Sequence, residues 1–128
     1  MRRKIIAGNW KMYKTVAEAV ELAGGLKKEL SGFDGCDVVI CPTFVCLTEV
    51  NKTVAGSNVK LGAQNLFWET EGAFTGEISG AMVKSTGAQY VIIGHSERRQ
   101  YFGETNETVS KRIKAALKNG LLPIVCVG

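Results

Sequence analysis

Two runs in this chain, Asp37-Val38-Val39-Ile40-Cys41 and Tyr90-Val91-Ile92-Ile93, are apolar at almost every position rather than at every second one. A strand with one wet face alternates. A strand without alternation is covered on both faces, which is the habit of parallel sheets in α/β proteins. Lys4 to Gly8, Val59 to Ala63 and Leu121 to Val127 read as further strands, and segments of helical character lie between them. The order is strand then helix four times over, followed by a fifth strand. Such a chain folds as a parallel sheet with right-handed crossovers.

The helices announce their ends. Thr15-x-x-Glu18 has the form of a capping box, after which Val16, Val20, Ala23, Leu26 and Leu30 recur on one face until Ser31-Gly32. Gly24-Gly25 weakens the middle of that helix. Pro42-Thr43 opens a shorter helix that runs to Val54 and closes at Gly56. A short helix from Ser79 to Thr86 stops at Gly87. In the last one, capped by Thr105 or Asn106, Glu104 and Glu107 stand at the start and Lys111, Arg112, Lys114 and Lys118 toward the end, as the helix dipole favours. Val109, Ile113 and Ala116-Leu117 form its core face, and Asn119-Gly120 its stop. The stretch from Gln64 to Ile78 shows no period, and a connection of that length is usually a functional or binding loop.

Two architectures fit this order: a small doubly wound sheet, or part of a (β/α)8 barrel. The 128 residues suit the first, because a barrel takes about 250. Against it, a doubly wound domain covers its last strand with a helix and binds its ligand where strand order reverses. Here no helix follows the fifth strand, and the polar candidates follow strands one and four. A ring in which every strand delivers residues to one rim accounts for that better.

Composition excludes several classes of function. Apolar residues make up 45% and charged residues 22%, the balance of a water-soluble globular chain. A net charge of +4 favours anionic ligands, but no basic stretch is interleaved with aromatics, so no nucleic-acid partner is expected. The start, Arg2-Arg3-Lys4-Ile5-Ile6-Ala7-Gly8, is too short in its apolar part for a signal or a membrane span. Cys36, Cys41, Cys46 and Cys126 form no C-x-x-C pair and read as free thiols in the cytosol. One histidine cannot anchor a metal set, and no dinucleotide or phosphate-loop motif is present.

The candidate chemistry sits at strand ends. His95 is the only histidine and follows β-forming residues and Gly94 directly, with Ser96-Glu97-Arg98-Arg99 able to open a helical turn. Most isolated histidines beside a strand are structural. At the start of a helical turn, however, exposed N–H groups disfavour the imidazolium, and a neutral ring can donate to a carbonyl and then to an oxyanion. Lys11, two residues past the first strand, is either a solvated charge or a fixed cation for a phosphate or a developing enolate. Asn9 closes strands readily, and Glu97 is either a favourable first-turn acid or the partner that orients Lys11.

Ala7-Gly8-Asn9-Trp10-Lys11-Met12, Leu61-Gly62-Ala63-Gln64-Asn65, Gly72-Ala73-Phe74-Thr75-Gly76-Glu77-Ile78-Ser79, Ile93-Gly94-His95-Ser96-Glu97-Arg98-Arg99 and Pro123-Ile124-Val125-Cys126-Val127-Gly128 closely resemble successive motifs of the triosephosphate isomerase family. The resemblance spans the whole chain and only the amino-terminal half of that enzyme. It implies half of a (β/α)8 barrel, (βα)4 plus a fifth strand, filling residues 1–128 as one unit. The implied reaction is the cofactor-free interconversion of dihydroxyacetone phosphate and glyceraldehyde 3-phosphate in glycolysis and gluconeogenesis. Asn9 and Lys11 match the substrate-binding pair, and Glu97 the acid beside the lysine. His95 matches the neutral electrophile, a role for which this family is itself the standard worked example. Thr75 and Glu77 match the loop that one subunit inserts beside its partner's site, and Arg98 the arginine that pairs across that interface.

The family's base, a glutamate after strand six, and its phosphate-gripping loops match nothing here. The chain by itself is therefore expected to be close to inactive. A complementary carboxyl-terminal half-barrel is the expected partner, together with a homo-oligomeric contact through the 64–78 loop. The alternative expectation is an inactive half-barrel fragment that buries its open edges by self-association.

Overall fold

The computed structural model describes residues 1–128. Five parallel strands, β1 (Ile5–Asn9), β2 (Asp37–Cys41), β3 (Val59–Ala63), β4 (Tyr90–Ile93) and β5 (Leu122–Val125), lie side by side in chain order. Nowhere does the order reverse, so the sheet is not doubly wound. It is the first five strands of an α/β ring, half of a (β/α)8 barrel.

Five helices follow: α1 (Val16–Glu29), α2 (Leu47–Val54) entered through a 3-10 turn at Phe44–Cys46, α3 (Gly80–Ser85), α4 (Ser96–Tyr101) and α5 (Asn106–Lys118). All but α4, which buries none of its residues, line one face of the sheet. There Ile40, Leu61, Val91 and Ile93 pack against Ala19, Ala23, Leu47, Val83, Val109 and Ala116 in a single core. The opposite, concave face carries a second cluster, Val39, Cys41, Tyr90 and Ile92 with Ile124 and Cys126, to which no helix contributes. Strand register extends that face to Ala7 and Asn9 on β1 and to Lys60 and Gly62 on β3.

The sheet is open at both sides. β1 pairs only with β2, and Ile5 and Ile6, which point to opposite faces, are 45% and 64% exposed. On the other edge Leu122 is 55% exposed. The outer edge of β1 thus leaves its backbone N–H and C=O groups unpaired within the chain.

Some boundaries differ from the sequence reading. β1 runs through Asn9, because its pairing continues to Cys41. β5 begins at Leu122, because the Leu121 N–H donates to the Ala116 carbonyl and closes α5. Gly24-Gly25 does not interrupt α1, whose capping box and buried Ala19 and Ala23 hold it. Val16 and Leu117 are exposed rather than core-facing: Ala115 and Ala116 meet the sheet, and Leu117 lies about 100° further round the helix. No helix is long and apolar enough to cross a membrane. All four cysteines are free thiols, and burial pushes the Cys41 thiol up to about 12.

Candidate active site

Because the strands are parallel and in order, their carboxyl ends make one rim. Asn9, the last residue of β1, accepts the Lys11 N–H on Oδ1 at 2.9 Å. This short bond bends the chain, and Lys11 takes the left-handed backbone region with φ 54. On its other side, the Lys11 carbonyl accepts from Gln64 Nε2 at 2.8 Å, and the same amide nitrogen donates to the Cys41 carbonyl at 2.9 Å. The backbone of Lys11 is thus gripped from β1 and from the end of β3. Its side chain is left free to reach across the rim.

It reaches Glu97, with Nζ 2.7 Å from Oε1. The hydrogen bond to Glu97, and then its charge, raise the Lys11 ammonium above the ordinary lysine range. The same bond holds the Glu97 carboxyl below the usual carboxylate range, against a smaller opposing effect of desolvation. Both side chains are about half exposed, so solvent screens the pair and it is worth little as stability. Its effect is to fix a cation in place.

His95 leaves β4 at Gly94 and caps α4. Its Nδ1 accepts the Glu97 N–H at 3.1 Å, while Glu97 Oε2 stands at 3.7 Å, beyond hydrogen-bonding distance. A ring nitrogen that accepts carries no hydrogen, so the neutral ring bears its proton on Nε2. That proton is a donor aimed by a backbone cap. Beside His95 a cavity of about 470 Å³, lined among others by Ser96, Arg99 and Cys126, opens between the ends of β4 and β5. Arg99 braces that wall by donating to the Gly94 carbonyl at 3.0 Å and to Asn106 Oδ1 at 2.8 Å.

The structure therefore brings Asn9, Lys11, His95 and Glu97 together. Thr75 and Glu77 are exposed in the 64–78 loop and are joined to those four by no hydrogen bond or ion pair. Arg98 pairs inside the chain with the buried Glu104, which also faces Arg112 at 3.6 Å. Arg112 in turn donates to the Leu66 carbonyl at 3.0 Å and lies over the Trp68 ring, tying the long loop to α5. Burial sets the Arg112 guanidinium below its ordinary value, against the opposing charge of Glu104. Sequence reading missed both Gln64 and the Glu104–Arg112 pair. Gln64 had a readable signal: it falls in step with Lys60 and Gly62, the concave positions of β3. Glu104 and Arg112 had none, because each fitted the helix-dipole pattern of an exposed charge.

A family model described as triosephosphate isomerase matches residues 4–128. Triosephosphate isomerases of Endomicrobium trichonymphae and Clostridium botulinum (strain Loch Maree / Type A3) are 59% and 60% identical over 128 residues, covering 100% of this chain and 51% of each of those proteins. The crystal structure of triosephosphate isomerase from Bartonella henselae superposes with a TM-score of 0.93 at 37% identity, over 99% of this chain and 52% of that one. The chain spans about half the length of the curated relatives it matches.

Proposed function

The chain belongs to the triosephosphate isomerase family, and on that premise we propose that it forms one half of an enzyme interconverting dihydroxyacetone phosphate and glyceraldehyde 3-phosphate through an enediolate. The other half is the set of strands that closes the barrel, carried by a complementary carboxyl-terminal half-barrel. The observation that carries this reading is the cross-rim geometry: a cation locked to Glu97 at 2.7 Å beside an imidazole whose only free hydrogen is on Nε2.

Each residue then has a task. The Nε2–H of His95 polarises the substrate carbonyl and stabilises the oxyanion as the enediolate forms. Lys11 stays cationic across physiological pH and holds the anionic substrate while negative charge develops. Glu97 keeps the lysine pointed at the site, and Asn9 sets the turn that aims it. Proton abstraction from carbon needs a base, which in the family is a glutamate after strand six. The isolated half is therefore close to inactive. The reaction uses no cofactor, and four free thiols suit the cytosol. A second copy docks through the 64–78 loop, where Thr75 and Glu77 are exposed, against the exposed Met12 and Tyr13 beside Lys11. Arg98, paired with Glu104, braces that contact from within the chain.

The test is turnover of triose phosphate by the purified chain, alone and mixed with a chain carrying the remaining strands. Turnover is expected only in the mixture and should fall about a thousandfold with His95→Ala. Failure of every such partner to restore turnover overturns the reading. So does a discrete homo-oligomer that ignores the complementary half, which would make the chain a self-associating fragment.

A further inference from the structure

The concave face has two rims. The rim at the strand ends carries the isomerisation chemistry, and the rim at the strand starts carries charge which that chemistry does not use. Asp37, first residue of β2, lies 2.6 Å from Arg3 Nε and 3.2 Å from Lys60 Nζ. Register places all three on the concave face. Lys60 is level with Val39, Asp37 precedes Val39 by two residues, and Arg3 precedes by two the Ile5 that pairs with Asp37. The Asp37 side chain is only 14% exposed, whereas those of Arg3 and Lys60 are 54% and 38% exposed. Arg3, followed by Lys60, holds the Asp37 carboxyl below the usual range, so it stays an anion.

One enclosed carboxylate cannot serve two cations from every side. Asp34, on the loop before β2, lends Arg3 its backbone carbonyl at 3.0 Å and lies in an exposed stretch. Arg2 and Lys4 add two more positive charges at the start of β1. In the open sheet water reaches these cations. Closing the ring beside β1 shuts that water out, and two cations sharing the single Asp37 carboxylate then leave an enclosed positive charge uncompensated, which is strongly unfavourable. A second copy of this chain would bring the same cationic excess to the same rim, on a molecule already at +4.

We infer that the strands closing this barrel present a carboxylate to the Arg3–Lys60 pair at the strand-start rim, making that rim an electrostatic key by which the half-barrel selects an acidic complement. The inference rests on the reading that further strands complete the chain. Complementary charge of this kind sets register and partner choice as well as affinity.

The experiment titrates the chain with a separately expressed chain carrying the remaining strands of the Clostridium botulinum relative, by calorimetry. Circular dichroism checks that each variant is folded. Lys60→Met and Arg3→Gln should each weaken association about 30-fold or more, the loss usual for one partner of an enclosed charge pair. Lys27→Met, on the exposed side of α1, should stay within about twofold. Carbodiimide treatment of the unmutated assembly should join Lys60 to an Asp or Glu of the complement, which also covers a variant that fails to fold. Association that both rim variants leave within about twofold overturns the inference, as does cross-linking of Lys60 to Asp37 alone. Two halves that never associate overturn the half-barrel reading, and this inference with it.

Discussion

Gln64 holds two backbone carbonyls with one amide nitrogen, and one of them belongs to the residue whose ammonium faces the site. Lys11 sits at φ 54, a region that lysine adopts only when its surroundings impose it. Asn9 supplies one constraint and Gln64 the other. Replacing Gln64 by Leu removes both donated bonds while nearly keeping the volume. The expected cost is about 1–3 kcal/mol in urea unfolding. More tellingly, the Lys11 ammonium should titrate closer to an ordinary lysine, as followed by NMR, because its backbone no longer aims it at Glu97. An unchanged Lys11 titration in a destabilised variant would make Gln64 a packing residue only. Asn9, Lys11, His95 and Glu97 were legible as polar residues at strand ends. Gln64 was legible only as a position in step with Lys60 and Gly62; the carbonyls it grips were not, because Lys11 and Cys41 lie 53 and 23 residues away in sequence.

Strands β2, β3 and β4 approach closely on the concave face because β3 carries a glycine there. A Cβ on Gly62 would lie 2.8 Å from Cys41 Sγ and 3.2 Å from Tyr90 Cβ. Gly62→Ala should therefore cost about 1–3 kcal/mol through overpacking. Combining it with Cys41→Ala should recover part of the loss, which thermal melts of the two single variants and the double variant can measure. If the two penalties simply add, the clash lies elsewhere. Helix ends were the elements best read in advance. Thr15 and Glu18 satisfy each other's backbone N–H at 3.4 and 3.0 Å, and Thr105 does the same with Thr108. Such bonds span three residues and are visible in sequence. The long loop was readable as a loop and no further, since Arg112 reaches it from 46 residues away.

For the molecule as a whole, the ionised carboxylates set the acid limit. Asp37, Glu97 and Glu18 are each held below their ordinary range: Asp37 first by Arg3, Glu97 first by Lys11, and Glu18 first by the Thr15 backbone N–H. A depressed folded-state value means that the unfolded chain binds more protons. The stabilisation from these groups is complete above the ordinary carboxylate range, near pH 4, and is lost as pH falls through the lowered values. Lys11, shifted upward, contributes below the ordinary lysine range and loses its contribution only in strong alkali. Thermal midpoints should therefore be level from about pH 6 down to about pH 4.5 and fall below that. Asp37→Asn should flatten the fall, and a midpoint insensitive to acid would contradict the assignment.

The sequence by itself determined the class of fold, the parallel order of strands and helices, the helix caps and the short list of polar residues at strand ends. All of these depend on local periodicity or on contacts within a few residues. Only the tertiary structure decided that the sheet keeps chain order without reversal, that Lys11 crosses 86 residues of sequence to meet Glu97 at 2.7 Å, and that Arg3 and Lys60 share Asp37. Those facts follow from strand register and sheet curvature, which bring together side chains from elements whose spacing no local pattern records.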